Sequence, residues 1–543
     1  MSNSLESPGT RRRVRVLFGC AGWPSGMFEV ASWAKRQQLA ETIIRQIHDG
    51  EDGDVDAEFT RKLIGFRPHV VGFRVEGEGM EQVKRWIAAV RRHSDAEIVL
   101  GGPTATSHPL DVLIDSGADY VFAGEAEEPF NQFLRLARQP NSKDRQPEIP
   151  GLAYRYGGRA YLNTLPRDGY ERSIMDVDNL ICCNSLRCLR NKVRPVAKTE
   201  LIAANQLDWS LLENFSAEFD SLYFTGGRGC PGACVFCAKL HGNQIRAKSA
   251  EQLLEEIEAA DRAVSEGALR VTLWKLFQYV DDPSLKNRRV AWASIFDEDF
   301  FLDRRRAIDF FRLWNGSPLK HGYRIALQTN PCSMLAGGEA HRDLVEWIDR
   351  LKPMIHLGAE SFHNDLLLRW HKRHSVGQLN TVLNALDATR QDYTVFQLLT
   401  DFETTPEELV ETLRRLILAG YKHRRMRIAS SPFTIPLYES DTRRLLEYGG
   451  RLAGKHVCDF RDYERPQPGW MDPLAAELAD LADAELRFAL DPEYRDGALC
   501  QAFEVVYDRI CREPSGQRAN DLRDQAGRAM AEIKAARFQG VAS

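Results

Sequence analysis

Short apolar runs rich in β-branched residues alternate with helical patterns from Val14 to about Leu136. "VRVLFG", "HVVGFR", "EIVLGG" and "DYVFAG" each end on glycine or a polar residue and read as strands. Between them, "EGMEQVKRWIAAVRRH" and "HPLDVLIDSG" carry apolar positions at helical spacing. This βαβ rhythm predicts an open parallel sheet that binds ligands at the carboxyl ends of its strands. From about Gln139 to Glu218 the rhythm lapses, opening on polar "RQPNSKDRQPEIPG", and a connector with limited structure is expected. Beyond it the alternation resumes. Strand-like "AWASIFDED", "RIALQTNP", "PMIHLGAES", "TVFQLLTDF" and "MRIASSP" interleave with helical "DRRRAIDFFRLW", "HRDLVEWIDRL", "VGQLNTVLNALDAT" and "TPEELVETLRRLILAG". Five or six such units predict a partial (βα) barrel with its chemistry at the strand carboxyl ends. The tail from about Tyr448, including "DPLAAELADLADAELRFAL", reads as helical and is expected to close the barrel mouth. The fold class is α/β with a helical C-terminal region.

Composition narrows the setting. A chain of 543 residues with 43% hydrophobic content supports several domains. Its 72 basic and 77 acidic residues leave a net charge of −5, which argues against nucleic acid or an anionic membrane as partner. No apolar run approaches the roughly 18 to 20 residues that span a bilayer. The apolar piece of "RRRVRVLFGC" is too short for a secretion signal and reads as a first strand. Eleven scattered cysteines do not resemble a disulfide framework, so a reducing, cytoplasmic location is expected.

One stretch concentrates chemistry. "TGGRGCPGACVFCAKLHG" sets Cys230, Cys234 and Cys237 among glycines, after an apolar run. Three thiolates suit an iron–sulfur cluster with one iron left open for a substrate, cofactor or further protein ligand. Structural zinc prefers four ligands; Cys182, Cys183 and Cys188 of "ICCNSLRC" are available to complete such a set, which would make the chain a zinc-stabilised binding protein.

"CPGACVFC", with Phe236 before the third cysteine, resembles the CxxxCxxC loop of the radical SAM superfamily. That resemblance implies a [4Fe-4S] cluster on Cys230, Cys234 and Cys237 whose open iron is chelated by S-adenosylmethionine (SAM). "RPHVVGFR", "IVLGGPTAT" and "ADYVFAGEAEEPF" are similar to the B12-binding module that precedes the barrel in cobalamin-dependent radical SAM enzymes. It implies a cobalamin-binding Rossmann-like domain over 1–138, a connector over 139–218, a radical SAM partial TIM barrel over 219–447 and a helical domain over 448–543. Gly101, Gly102, Pro103 and Thr104, with Gly124 and Glu125, match strand ends that pass beside the corrin. Family members that ligate cobalt through histidine carry Asp-x-His-x-x-Gly after the first strand; here that place reads "GCAGWPSG", so cobalamin is expected to bind without a lower histidine ligand. Arg74 in "VGFRVEGEG" stands where a residue covers the lower face of the corrin, and resembles the tryptophan 2-C-methyltransferase branch of thiopeptide biosynthesis. The competing reading pairs Arg74 with Glu76 or Glu78 at the rim.

For SAM, the second barrel strand ends in Asp297, Glu298 and Asp299. Asp297 and Glu298 are candidates for its amino group or ribose, with Glu298 alternatively reaching the open iron. Glu360, Ser361 and Gln397 match later strand ends that meet SAM. Tyr323 and Tyr279 are candidates for proton transfer, and "RPQPGW" with Trp470 for a lid. "TLWKLFQYVDDPSLKNRRV" reads as an insertion without an assigned role. The resemblance implies a methyltransferase moving a methyl group from SAM, via methylcobalamin, to carbon of a small-molecule or peptide natural-product precursor, the indole C2 of tryptophan being one candidate. An external electron donor is implied as partner, and a non-methylating B12-dependent radical enzyme is the alternative within the class.

Overall fold

The computed structural model describes residues 13–48, 57–76, 79–107, 109–137, 148–166, 171–176, 192–193, 198–213, 218–234, 236–237, 240–275, 280, 287–401, 403–431, 472–491 and 493–541. They form two compact units: the described residues of Met1–Phe219 with Ala259–Arg270, and those of Asp220–Glu258 with the chain from Val271 on.

In the first unit the expected strands form β1 (Val14–Cys20), β3 (Val70–Arg74), β4 (Glu97–Gly101) and β5 (Tyr120–Phe122). A further strand, β2 (Ala40–Gln46), pairs in parallel with β1. Its apolar pattern is broken by Arg45 and Gln46, yet both are buried. The fold satisfies them from a distance: Arg45 pairs with Glu58 and Glu213, and Gln46 donates to the Ala21 carbonyl at 3.1 Å. Buried polar groups with partners cost little, so tertiary contacts override the local signal here.

The stretch expected to be a loose connector instead enlarges this sheet. β6 (Leu152–Tyr156), β7 (Arg159–Pro166) and β8 (Glu171–Asp176) run antiparallel beyond β5, β9 (Lys192–Val193) pairs with β7, and β10 (Leu212–Glu213) adds to β2 at the opposite edge. The order is β10-β2-β1-β3-β4-β5-β6-β7-β8, ten strands among the described residues. Trp209, just before β10, stacks edge-on against Phe28 at 5.1 Å and so ties the returning chain to the first helix, Ser25–Arg36. The core is aromatic. Phe130 lies 5.6 Å from Phe18 and 5.7 Å from Phe122, and the Phe18 ring occupies the space a side chain at Gly72 would need.

The second unit carries the expected barrel pattern. β11 (Leu222–Phe224), β12 (Arg289–Ile295), β13 (Tyr323–Thr329), β14 (Met354–Glu360), β15 (Tyr393–Leu398) and β16 (Met426–Ser431) are parallel and lie side by side in chain order. Helices Arg304–Gly316, Arg342–Leu351, Val376–Ala388 and Pro406–Lys422 make the crossovers. Their starts are written locally: Ser375 and Gln378 form a reciprocal capping box, and Thr405 caps a helix that begins with Pro406. Within the insertion, Trp274–Lys275 adds an antiparallel edge to β12.

The C-terminal helices Pro473–Leu486, Arg495–Cys511 and Gln517–Val541 form as expected and pack against the last βα unit, where Ser430 near the end of β16 donates to Asp483 at 2.7 Å. Buried Arg495 donates to the carbonyls of Met426 (2.9 Å) at the start of β16, of His423 (3.0 Å) just after helix Pro406–Lys422, and of Gly420 in that helix's last turn. Its guanidinium satisfies carbonyls that the end of helix Pro406–Lys422 leaves open. Trp470 lies outside the described residues, and no described helix is long and apolar enough to cross a membrane.

Candidate active site

The cysteine loop leaves the sheet directly after β11. Gly227–Arg228 pairs antiparallel with Arg246–Ala247, and the Cys230 N–H donates to the Gly242 carbonyl at 3.1 Å, so the loop is closed at its base. Gly229 has φ +93, and a side chain there would run into the Gln244 carbonyl. Cys230, Cys234 and Cys237 are all half-buried. A Cβ placed on Gly232 would lie 3.2 Å from the Cys230 sulfur and 3.9 Å from that of Cys234, and the Gly232 N–H donates to Cys230 at 3.3 Å. The thiols of Cys230 and Cys234 thus both lie close to Gly232, where a side chain would crowd the Cys230 sulfur. Burial raises the Cys230 thiol pKa, and Asp299, Cys234 and Glu298 add to that. Among the described residues, no group of three or more His, Cys, Asp or Glu is arranged to hold a single metal ion, and Cys182, Cys183 and Cys188 lie outside them.

The acidic run after β12 divides its labour. Asp297 accepts from the Gly227 N–H at 2.6 Å through one carboxylate oxygen and pairs with Arg306 at 2.7 Å through the other. Gly226 lies flush on this pair: a Cβ there would meet Asp297 Oδ1 at 2.8 Å and Arg306 Nη2 at 2.6 Å. The Asp297 carboxylate thus holds the base of the cysteine loop through both of its oxygens. Glu298 accepts from the Gly229 N–H at 3.0 Å, one residue before Cys230, and so keeps its place at the loop. Asp299 is buried and accepts from Thr329 (2.7 Å), Asn330 (3.2 Å) and Ser333 (2.6 Å); burial raises its pKa against these hydrogen bonds.

At the end of β14 the register shifts between Leu357 and Glu360, and Glu360 takes a left-handed φ of 64°. A non-glycine residue held there is strained, and such strain gathers at functional sites. Glu360 lies 3.4 Å from the ammonium of Lys372, which also donates to Asn330 Oδ1 at 2.9 Å. Lys372 sits 5.8 Å from the centre of the Phe236 ring, and Phe236 meets Trp370 edge-on at 6.1 Å. Burial acts to lower the Lys372 pKa, but Glu360 and Cys234 hold it above its ordinary value. Sequence reading missed Lys372, because "RWHKRH" looks like a solvated charge run. Arg306 and Asn330 were missed for want of any local signal.

The remaining candidates separate. Ser361 is fully buried and accepts from the His363 N–H at 3.0 Å, which makes it a turn former. Gln397 is the register partner of Glu360; its amide donates to Leu398 O at 2.7 Å, while its buried Oε1 has no hydrogen-bond partner among the described residues. Tyr323 is the first residue of β13, 7% exposed, at the strand end opposite the cysteine loop. Tyr279 lies outside the described residues.

In the first unit the candidates gather at the carboxyl ends of β3, β4 and β5. Gly101 has open space where a side chain would stand, and Gly102 turns at φ +109, with Val75 O at 2.7 Å and Arg74 Cγ at 2.9 Å from any Cβ there. Pro103 opens a short helix, Pro103–Ser107, in which the Thr104 N–H donates to Val75 O at 3.3 Å. Gly124, at φ +87, donates to Thr106 Oγ1 at 3.1 Å, and Glu125 beside it is buried. The Arg74 guanidinium pairs with Glu76 at 2.7 Å and remains 30% exposed; Glu78 lies outside the described residues. Cys20, at the end of β1, has its thiol pushed up to about 12 by burial, against the opposing charge of Arg74.

Residues 24–134 match the B12-binding domain, and residues 224–416 match the radical SAM superfamily. The chain joins a B12-binding domain to a radical SAM domain. Those domains imply cobalamin, a [4Fe-4S] cluster and SAM as cofactors, and the residues present fit them: a glycine beside the Cys230 and Cys234 thiols, and an open glycine turn at the sheet's carboxyl edge. No curated protein matches the chain. Among solved structures it resembles the radical S-adenosylmethionine methyltransferase TsrM from Kitasatospora setae, with cobalamin and [4Fe-4S] cluster bound, at 13% identity and TM-score 0.59 over 96% of this chain and 99% of that one. It also resembles the cobalamin-dependent S-adenosylmethionine radical enzyme OxsB with aqua-cobalamin and S-adenosylmethionine bound, at 12% identity and TM-score 0.63 over 97% of this chain and 72% of that one. At such identities the likeness is one of fold.

Proposed function

We propose that this chain is a methyltransferase that carries a methyl group from SAM, by way of cobalamin, to carbon of a small-molecule or peptide precursor. Cobalamin supplies a strongly nucleophilic cobalt when reduced, and this chain's part is to hold it without a nitrogen ligand from below. The observation that carries the reading is the end of β1: "GCAGWPSG" offers no histidine, and Arg74, on the neighbouring strand β3, has no lone pair to give cobalt. Gly101, Gly102, Pro103, Thr104, Gly124 and Glu125 would form the corrin edge, and Arg74 would lie toward its lower face. Arg74 also pairs with Glu76 at 2.7 Å, which favours the competing reading of an ion pair at the rim.

In the second unit, Cys230, Cys234 and Cys237 would hold the cluster, and Glu298 would stand beside its open side. Glu360 and Gln397, paired across β14 and β15, would meet SAM. TsrM, named a methyltransferase and solved with tryptophan as substrate and a SAM analogue, supports an aromatic acceptor such as the indole C2 of tryptophan. OxsB, named a radical enzyme, favours the second reading, a non-methylating reaction on the same cofactors. An external one-electron donor and a reducing, cytoplasmic setting go with either reading. The domain division 1–138, 139–218, 219–447 and 448–543 is proposed with one amendment, that the connector belongs with the sheet it extends.

The test is a search for a labelled acceptor. With cobalamin, reductant and SAM carrying a deuterated methyl group, tryptophan and tryptophan-containing peptides are screened by mass spectrometry. A product carrying the intact trideuteromethyl group supports the reading; consumption of an acceptor with no label gained supports the non-methylating alternative.

A further inference from the structure

Lys372 is the least expected charge in the second unit. Its side chain is only 3% exposed, and an ammonium taken out of water costs several kcal/mol unless its surroundings return it. The surroundings are built for it. The turn that carries it is fixed on one side by Arg369, which pairs with Asp401 at 2.6 Å and with Glu408 at 2.9 Å, and by Trp370, whose indole N–H donates to Asp401 at 2.7 Å. On the other side, the His374 ring meets the Ala359 carbonyl at 3.1 Å. Between them His371 takes a left-handed φ of 55°, and the Lys372 N–H closes the turn onto Leu367 O at 2.9 Å. Glu360, the carboxylate 3.4 Å from the ammonium, is itself held at a left-handed φ of 64°. Two strained residues thus bracket one buried cation, and backbone strain of this kind persists only where surrounding structure enforces it.

Bracing between β13 and β14 could be achieved with an uncharged hydrogen-bonding side chain at lower desolvation cost. What a neutral group could not provide is charge at the cysteine loop. Lys372 lies 5.8 Å from the ring of Phe236, the residue before Cys237, and within electrostatic range of the Cys234 thiol. A cluster held by three thiolates becomes more negative when it accepts an electron, and net charge close to the sulfurs is one of the levers that sets its potential. In a site shielded from water that leverage is larger than at a surface. We propose that Lys372 is an electrostatic positioning residue for the cluster: a buried cation over Phe236, between Cys234 and Cys237 in the loop, that stabilises the reduced cluster and so lets a one-electron donor load it. The inference rests on Cys230, Cys234 and Cys237 being the cluster ligands, and it is independent of what the enzyme methylates.

The experiment uses the full-length protein, reconstituted anaerobically with iron and sulfide and kept free of SAM. Wild type, Lys372→Met, Lys372→Gln and Lys372→Arg are titrated with dithionite, with the reduced cluster followed by electron paramagnetic resonance. The expected result is wild-type iron and sulfide content in all four, a midpoint shifted to lower potential in the Met and Gln proteins, and a midpoint near wild type in the Arg protein. Should Lys372→Met lose iron, Lys372→Gln, which keeps a donor for Asn330, carries the comparison. An unchanged midpoint in the neutral variants would overturn the proposal. So would an equal downward shift in Lys372→Arg, since it would show that the shape of lysine matters and its charge does not.

Discussion

Alanine at Cys230, Cys234 or Cys237 is expected to remove most of the iron and sulfide that the wild-type protein takes up on anaerobic reconstitution, and with them all SAM turnover. The loop supplies three thiolates and no more, and Gly232 lies between two of them, its N–H donating to the Cys230 sulfur at 3.3 Å. With one thiolate gone, two irons lack a protein ligand, since one was open from the start. Each single variant should therefore behave nearly as the triple variant does, because the ligands act as a unit. Cys182→Ala and Cys183→Ala, by contrast, should keep full iron content. Iron analysis and the visible absorbance of the reconstituted proteins decide the matter. Equal iron loss in the second pair would move the cluster ligands out of this loop.

Asp297→Ala is expected to have the second largest effect, through the anchoring of the cysteine loop. It removes the acceptor for the Gly227 N–H at 2.6 Å and leaves Arg306, whose side chain is 9% exposed, as a buried cation without its partner. Removing one member of a buried ion pair costs about 3 to 5 kcal/mol, far more than the pair is worth against a well-packed apolar replacement. The loss should appear as a lower denaturation midpoint for the second unit and as weakened iron retention, because the base of the cysteine loop is no longer held. Asp297→Asn keeps the acceptor for Gly227 but not the charge, and should fall between the two. The paired variant Asp297→Leu with Arg306→Leu removes the stranded charge and should recover part of the stability without recovering iron retention. If Asp297→Ala kept both stability and iron, the anchoring role would be wrong.

The strands of both sheets were legible where burial is two-sided and aliphatic, as in β3 and β4, and so was the chemistry of the cysteine loop, because ligand spacing is local. What could not be read depends on partners far along the chain. Arg45 and Gln46 break the pattern of β2 and are buried only because Glu58, Glu213 and the Ala21 carbonyl reach them. β6 and β7 looked like linker because they border polar, proline-containing sequence, yet they complete a sheet edge that β5 alone would leave open. At the site, "DED" gave three carboxylates at a strand end but not their division of labour, since Arg306, Gly229 and Thr329 arrive from three other elements. Lys372 sat in a run of cations that any sequence rule assigns to solvent. Tyr323 was picked by residue type alone, and strand direction places it at the end of β13 away from the cysteine loop.

The central claim is that SAM gives its methyl group to cobalamin held by this chain. The measurement that addresses it most directly requires no knowledge of the final acceptor. Reconstituted protein loaded with cobalamin is reduced anaerobically and mixed with SAM carrying a deuterated methyl group, and the products are separated by mass spectrometry. The account predicts S-adenosylhomocysteine in an amount matching the bound cobalamin, with the label recovered in the corrin fraction and neither product formed when cobalamin is left out. Conversion of SAM to 5′-deoxyadenosine alone, with no S-adenosylhomocysteine and no label on the corrin, would contradict it.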